Sequence, residues 1–377
     1  DGSLAAWGDA AAGGDLGAAA ALLGGEVEKV FPSKSAFAAL KADGSVVTWG
    51  APVSGGCSDA VAGQLNSGVV EVVATKALEF SAFAALRRDG SVVTWGCGAS
   101  GGNSSAVAED LQGGVRRIRA NGRAFAAVKD DGSLVCWGQA AYGGGFRAQR
   151  IREVFASTAA FAAVRVDGSV VAWGRESAGG DARAAAQQLS AGVMKIAATT
   201  GAFAALKADG SVVTWGSRRF GGVQGAAASA LWWGVVRVAA TETAFAAVRW
   251  DGSVVAWGDA ARGGDTSCVA AELLGSVKRV YATAGAFAAL KADGSVVTWG
   301  DRACGGDPGD VAKDLRSGVS DVFSTARAFA ALKASGAVIT WGHPGAGGDS
   351  SSARPQLRGG ARQLWATRAA FAAQRRD

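Results

Sequence analysis

The sequence predicts an all-β fold: a β-propeller of nine repeats of about 42 residues, each a three-stranded blade with a short outer helical turn. Three observations predict it. The string AFAALKADGSVVTWG stands at 36–50 and again at 286–300, with degenerate copies between. A turn dipeptide recurs as Asp1-Gly2, Asp43-Gly44, Asp89-Gly90, Asp131-Gly132, Asp167-Gly168, Asp209-Gly210, Asp251-Gly252, Asp293-Gly294 and Ser335-Gly336, at steps of 42, 46, 42, 36, 42, 42, 42 and 42. The strands so marked are apolar on both sides, and a sheet this small buries two apolar faces only by stacking on its neighbours. The expectation is one domain over 1–377, with repeats starting near 1, 43, 89, 131, 167, 209, 251, 293 and 335.

Each repeat follows one order. SVVTWG is β-branched and aromatic, as strands prefer. A four-residue variable loop and a Gly-Gly pair follow. The next stretch, such as SSAVAEDLQGG at 104–114, has Ser caps, Val107 and Leu111 at helical spacing, and a terminal glycine, which predicts one or two helical turns. GVxxVxAT is the remaining strand. A second variable loop leads to AFAALKA, and Asp-Gly then suits a two-residue type I′ hairpin turn. Aspartates after the Gly-Gly pair (Asp15, Asp181, Asp265, Asp307, Asp349) are expected to cap the helical turn rather than bind calcium.

One Trp per repeat (Trp7, Trp49, Trp95, Trp137, Trp173, Trp215, Trp257, Trp299, Trp341) and one Phe (from Phe37 to Phe371) are expected as packing between sheets. Each end of the chain is half a hairpin, so strand 3–8 is expected to pair with strand 369–376 and close the ring, the alternative being that these repeats are a piece of a longer array.

Composition narrows function. One His and two Tyr among 377 residues leave little equipment for acid–base chemistry at neutral pH. No catalytic residue, cofactor site or metal site is expected. The five cysteines have wide spacings and no CxxC, which reads as free thiols and favours a reducing, intracellular compartment. No apolar run is long enough for a membrane helix, so no membrane insertion is expected. The net charge of +6 permits acidic partners without identifying nucleic acid. Gly98-Ala99-Ser100-Gly101-Gly102 fits a nucleophile elbow, but the single His343 lies five repeats away. Gly96 to Gly101 fits a dinucleotide motif without the βαβ unit it needs.

The run Ala289-Leu290-Lys291-Ala292-Asp293-Gly294-Ser295-Val296-Val297-Thr298-Trp299-Gly300-Asp301, followed by Gly305-Gly306, resembles the regulator of chromosome condensation (RCC-type) repeat. The compact repeat is also similar to the β-lactamase inhibitor proteins of the same superfamily. The resemblance implies a propeller serving as a protein-binding platform. Members include a nucleotide-exchange factor that docks on nucleosomes, ubiquitin-ligase accessory domains and an enzyme inhibitor. It does not carry exchange activity to this chain. The exchange factor works through an inserted wedge, whereas the longest repeat here, 43–88, has only four extra residues near Lys76–Phe80. The family's frequent His at the second strand is Ala36 here, and its Gly-Gln-Leu-Gly loop is Gly-Gly-Asp or a variant.

The expected function is a non-catalytic protein–protein interaction or assembly scaffold. The alternatives are a chromatin- or nucleic-acid-associated or exchange-type regulator, and an enzyme with an unrecognised site. Trp232 and Trp233 stand where most repeats have polar residues or glycine, and Trp250 precedes a turn where most have alanine or a charge. With Tyr142, Arg218, Arg219 and Phe220 in variable loops, they are the candidate partner-binding residues. A cation precedes each turn by two residues (Lys41, Arg87, Lys129, Arg165, Lys207, Arg249, Lys291, Lys333, Arg375), and pairing with the turn carboxylate is expected to absorb most of that charge.

Overall fold

The computed structural model describes residues 4–6, 9–24, 26–76 and 80–375, the Arg375 side chain excepted. Trp7, the Asp1-Gly2 turn and Asp377 lie outside these residues, as does the core of the extra segment at 77–79. The chain divides into two compact halves, Asp1–Ala186 and Gln187–Asp377.

Each half is a succession of antiparallel sheets in which the GVxxVxAT strand pairs with AFAALKA and AFAALKA with SVVTWG. In the first half the sheets run from Val27–Pro32 to Val46–Gly50, Val69–Ala74 to Val92–Gly96, Val115–Ala120 to Leu134–Gly138, and Ile151–Ala156 to Val170–Gly174. In the second they run from Val193–Ala198 to Val212–Gly216, Val235–Ala240 to Val254–Gly258, Val277–Ala282 to Val296–Gly300, and Val319–Ser324 to Val338–Gly342. The last, Ala361–Ala366 with Phe371–Arg375, has two strands among the described residues. The expected closing strand falls partly on residues 3, 7, 8 and 376, outside the described ones, and Leu4, Ala5 and Ala6 belong to no strand.

The hairpin turn differs from the two-residue type I′ expectation. Lys41 N–H donates to the Ser45 carbonyl and Gly44 N–H to the Lys41 carbonyl, both at 2.9 Å, which encloses a three-residue loop. Only Gly44 has positive φ (+78°). A type I turn closed by a left-handed glycine needs no unusual conformation from Asp43. The carboxylate is used instead as an acceptor for Ser45 N–H at 2.8 Å. The Gly44 carbonyl then accepts Val69 N–H at 2.9 Å, which ties the turn to the first strand of the next sheet.

The first strand of every sheet carries a bulge. In the sheet at 235–258, Val235 pairs with Arg249 and Arg237 with Val248, leaving Val236 unopposed. One extra residue re-aims the side chains beside it. Val235 is therefore buried while Val236 and Arg237 are both exposed, where strict alternation would have buried one of them.

Successive sheets within a half pack face to face. Phe83, Phe125, Phe161, Phe203, Phe245, Phe287 and Phe329 are fully buried. Phe287 stacks on Trp299 with centroids 5.2 Å apart, and the other repeats repeat that geometry. The alanines of AFAA are buried from Ala36 to Ala331 and set the close sheet spacing, while Ala370, Ala372 and Ala373 of the last sheet are exposed. In one such core Ala244, Ala246 and Val248 of one sheet meet Phe287, Ala289 and Trp299 of the next. The Gly-Gly pair is part of this contact: a Cβ on Gly263 (φ +99°) would lie 2.6 Å from the Phe287 ring.

The helical turns are mostly 3-10, such as Ser105–Val107 and Ser267–Leu273. The five aspartates expected to cap them stand one residue before the N-cap, which is Leu16, Ala182, Thr266, Pro308 or Ser350, and each accepts the N–H of the first residue of the turn at 2.8–2.9 Å. The short repeat at 131–166 lacks this turn. Phe146 fills the space by stacking on Trp173 at 4.6 Å, and Arg147–Ala148 adds a short fourth strand beside Leu134 and Val135.

Candidate functional site

In the second half, the 3-10 helix Gly225–Leu231 anchors itself through Leu231, which is buried against the core containing Phe245 and Trp257. The two residues after it have no core left to enter. Trp232 and Trp233 are therefore 77% and 56% exposed, and Trp250, at the hairpin turn, 65%. The Trp250 backbone N–H donates to the Gly234 carbonyl at 2.8 Å, which brings the turn against the end of the helix. The Trp233 and Trp250 rings consequently lie 6.3 Å apart, tilted by 33°. A Cβ on Gly234 would stand 2.7 Å from the Trp250 ring, so the contact also depends on that glycine.

Arg249 completes the cluster. Its guanidinium lies 5.3 Å from the Trp233 centroid, a cation–π geometry. Its Nη1 is 3.7 Å from the Asp251 carboxylate. That carboxyl is held below its usual range, first by the Ser253 hydroxyl and backbone N–H and then by the Arg249 charge. Leu274, one repeat beyond Trp232, is 76% exposed. The sequence reading missed Leu274, although the 42-residue step from Trp232 points to it. It placed Arg249 among the turn cations without joining it to the tryptophans.

The other candidates are disposed differently. Arg218 and Arg219 are exposed on the turn Arg218–Phe220. Arg219 lies 5.8 Å from the Phe220 centroid. Phe220 itself is half-buried against the core and so close to Gly201 that a Cβ there would meet its ring at 2.5 Å. Tyr142, in the first half, is half-buried too, with the guanidinium groups of Arg175 and Arg123 at 4.8 and 5.9 Å from its ring. These two aromatics brace loops, and the exposed tryptophans make up the open apolar surface.

The cations before the turns are largely committed. Arg87 pairs with Asp89 at 3.2 Å, as expected. Three lysines go elsewhere: Lys129, Lys291 and Lys333 donate to the carbonyls of Asp110, Glu272 and Asp314 at 2.8, 3.0 and 2.7 Å. Those carbonyls end helical turns and lack intrahelical donors, so a long flexible ammonium satisfies them. Among the decoys, Ser100 donates its hydroxyl to the Phe80 carbonyl at 2.8 Å. Cys136 and Cys304 are buried and Cys57 and Cys268 exposed, all as free thiols. Among the described residues no three metal-ligating side chains gather, and no helix is long and apolar enough to cross a membrane.

No family model matches the chain. No curated protein matches it. Among solved structures, the chain is similar to the ectodomain of the Physcomitrella patens receptor kinase CR4, at 15% identity over 73% of each chain with a TM-score of 0.40. It is similar to Prp20p of Saccharomyces cerevisiae, described with its binding to Gsp1p and histones, at 17% identity over 61% of this chain and 72% of that one, TM-score 0.38. A third is the CRINKLY WD40 ectodomain of the Arabidopsis thaliana receptor kinase ACR4, at 16% identity over 73% and 95%, TM-score 0.38.

Proposed function

We propose that this chain is a non-catalytic RCC-like propeller scaffold that binds another protein through Trp232, Trp233 and Trp250. The observation that carries the reading is the Trp233–Arg249–Trp250 cluster, open to solvent at one place in a repeat that elsewhere buries its aromatics. Contiguous exposed aromatics beside an arginine have the composition of interface hot spots. The cluster sits on a helix end and a hairpin turn joined by a backbone hydrogen bond, so little order has to be gained on binding.

The nucleic-acid alternative would rest on the turn cations. Their commitment to helix carbonyls and turn carboxylates supports the protein-binding reading over it. A salt titration separates the two. Retention of a protein partner on the immobilised chain is expected to persist from low to moderate salt, because it depends on apolar burial. A retained nucleic acid, with affinity collapsing as salt rises, would overturn the proposal.

A further inference from the structure

The residue just after the first-strand bulge carries a different charge pattern in the two halves. In the first half it alternates in sign, Lys29, Glu71, Arg117, Glu153. There Arg117 Nη1 lies 3.5 Å from Glu153 Oε1, one repeat on. In the second half Lys195, Arg237 and Arg279 follow one another at 42-residue steps. All three are exposed, and all three line one groove of about 330 Å³. Among the described residues none of them forms an ion pair with a carboxylate. The next residue in the series, Asp321, accepts a hydrogen bond from the Tyr281 hydroxyl, and the Arg279 guanidinium rests 5.0 Å from the Tyr281 centroid.

We propose that this groove binds a small organic oxyanion, a phosphate or carboxylate carried on an apolar body. Three like charges at equivalent positions of consecutive repeats repel one another, and the first half shows that the same scaffold accepts alternating signs there. Arginine forks match the oxygens of phosphate and carboxylate. The rest of the lining is aliphatic, including Ile196, Leu206, Val236, Val238 and Val280, and no acidic residue lines the groove. A fully hydrated inorganic ion would leave that wall unused, whereas an anion with an apolar body covers it. The volume falls in the range of ligand pockets. The bulge makes the site: by leaving Val236 unopposed, it brings an aliphatic and a cationic side chain out together.

The test is titration calorimetry on the whole chain with phenyl phosphate, benzoate and inorganic phosphate as probes. One phenyl phosphate is expected to bind per chain, more tightly than inorganic phosphate, with affinity falling as sodium chloride is raised. Arg237→Gln is expected to weaken binding about tenfold, the loss of a charge-assisted contact. Arg237→Lys should retain most of it. Arg117→Gln, at the equivalent position of the first half, and Trp233→Ser should leave it unchanged, which separates this site from the tryptophan surface. Benzoate matching phenyl phosphate would assign the carboxylate member of the class, and weaker benzoate the phosphate member. No saturable binding of either aromatic anion, or equal binding by Arg237→Gln with an unaltered circular dichroism spectrum, would overturn the proposal.

Discussion

The indole N–H of Trp299 donates to the carbonyl of Gly263, 36 residues earlier, at 3.0 Å. Trp49, Trp137, Trp257 and Trp341 make the same bond to Gly13, Gly101, Gly221 and Gly305. Each tryptophan therefore fills the space between two sheets and also holds the Gly-Gly loop of the preceding repeat. Trp173 is the departure: its buried indole N–H has no oxygen acceptor and faces the Cys136 sulfur. The repeat before it is six residues shorter than the usual 42, and Phe146 of that repeat stacks on this indole at 4.6 Å.

Replacing Trp299 by Phe should cost about 2 kcal/mol, the lost bond plus an unsatisfied buried carbonyl. The matched change at Trp173 should cost less, because no carbonyl is orphaned. Urea denaturation of the two variants beside the parent checks the difference, and equal losses would contradict the role given to the indole N–H.

Gly263→Ala should be severe. Its φ of +99° and the Phe287 ring 2.6 Å from a new Cβ leave no relaxed position, so a loss of about 3 kcal/mol or more is expected. Gly309 has φ +54° with nothing within 4 Å of a new Cβ, so its change to Ala should cost only the left-handed backbone penalty of about 1 kcal/mol. Thermal melts of the two variants rank them.

The turn carboxyls of Asp43, Asp89, Asp131, Asp167, Asp209, Asp251 and Asp293 all titrate below their usual value, chiefly because the serine two residues on donates to each. A carboxyl depressed in the folded state adds stability above its unfolded pKa, and that stability is lost as pH falls through the folded value. Melting temperature should accordingly be flat near neutrality and fall below about pH 4. Asp293→Asn should make that acid slope shallower. Ser335→Asp, at the one turn without the carboxylate, should make it steeper.

Much of this was legible in the sequence because the same residues solve the same packing problem in every repeat. The burial of one Phe and one Trp per repeat and the three strands follow from period and chemistry alone; that the two rings stack on each other does not. Two further features do not. The type I turn with a left-handed glycine uses the same Asp-Gly pair as a type I′ turn, and only the hydrogen bonds at Lys41 distinguish them. The bulge at Val236 leaves no mark in a pattern of apolar and polar residues, so nothing in the sequence singled out the row of Lys195, Arg237 and Arg279. At the candidate surface, the three tryptophans stood out because they break the repeat. Arg249 did not, because a cation precedes every turn.

The tryptophan surface is tested most directly by changing Trp232, Trp233 and Trp250 to Ser together. Side chains this exposed should each shift stability by no more than about 0.5 kcal/mol, so the variant should fold. Chemical cross-linking and affinity capture with the parent should yield a protein partner in fixed stoichiometry, cross-linked next to these residues. The triple variant should lose that partner, while a variant with Arg218 and Arg219 changed to Ser should keep it. A folded triple variant that holds the same partner at the same stoichiometry would contradict the account.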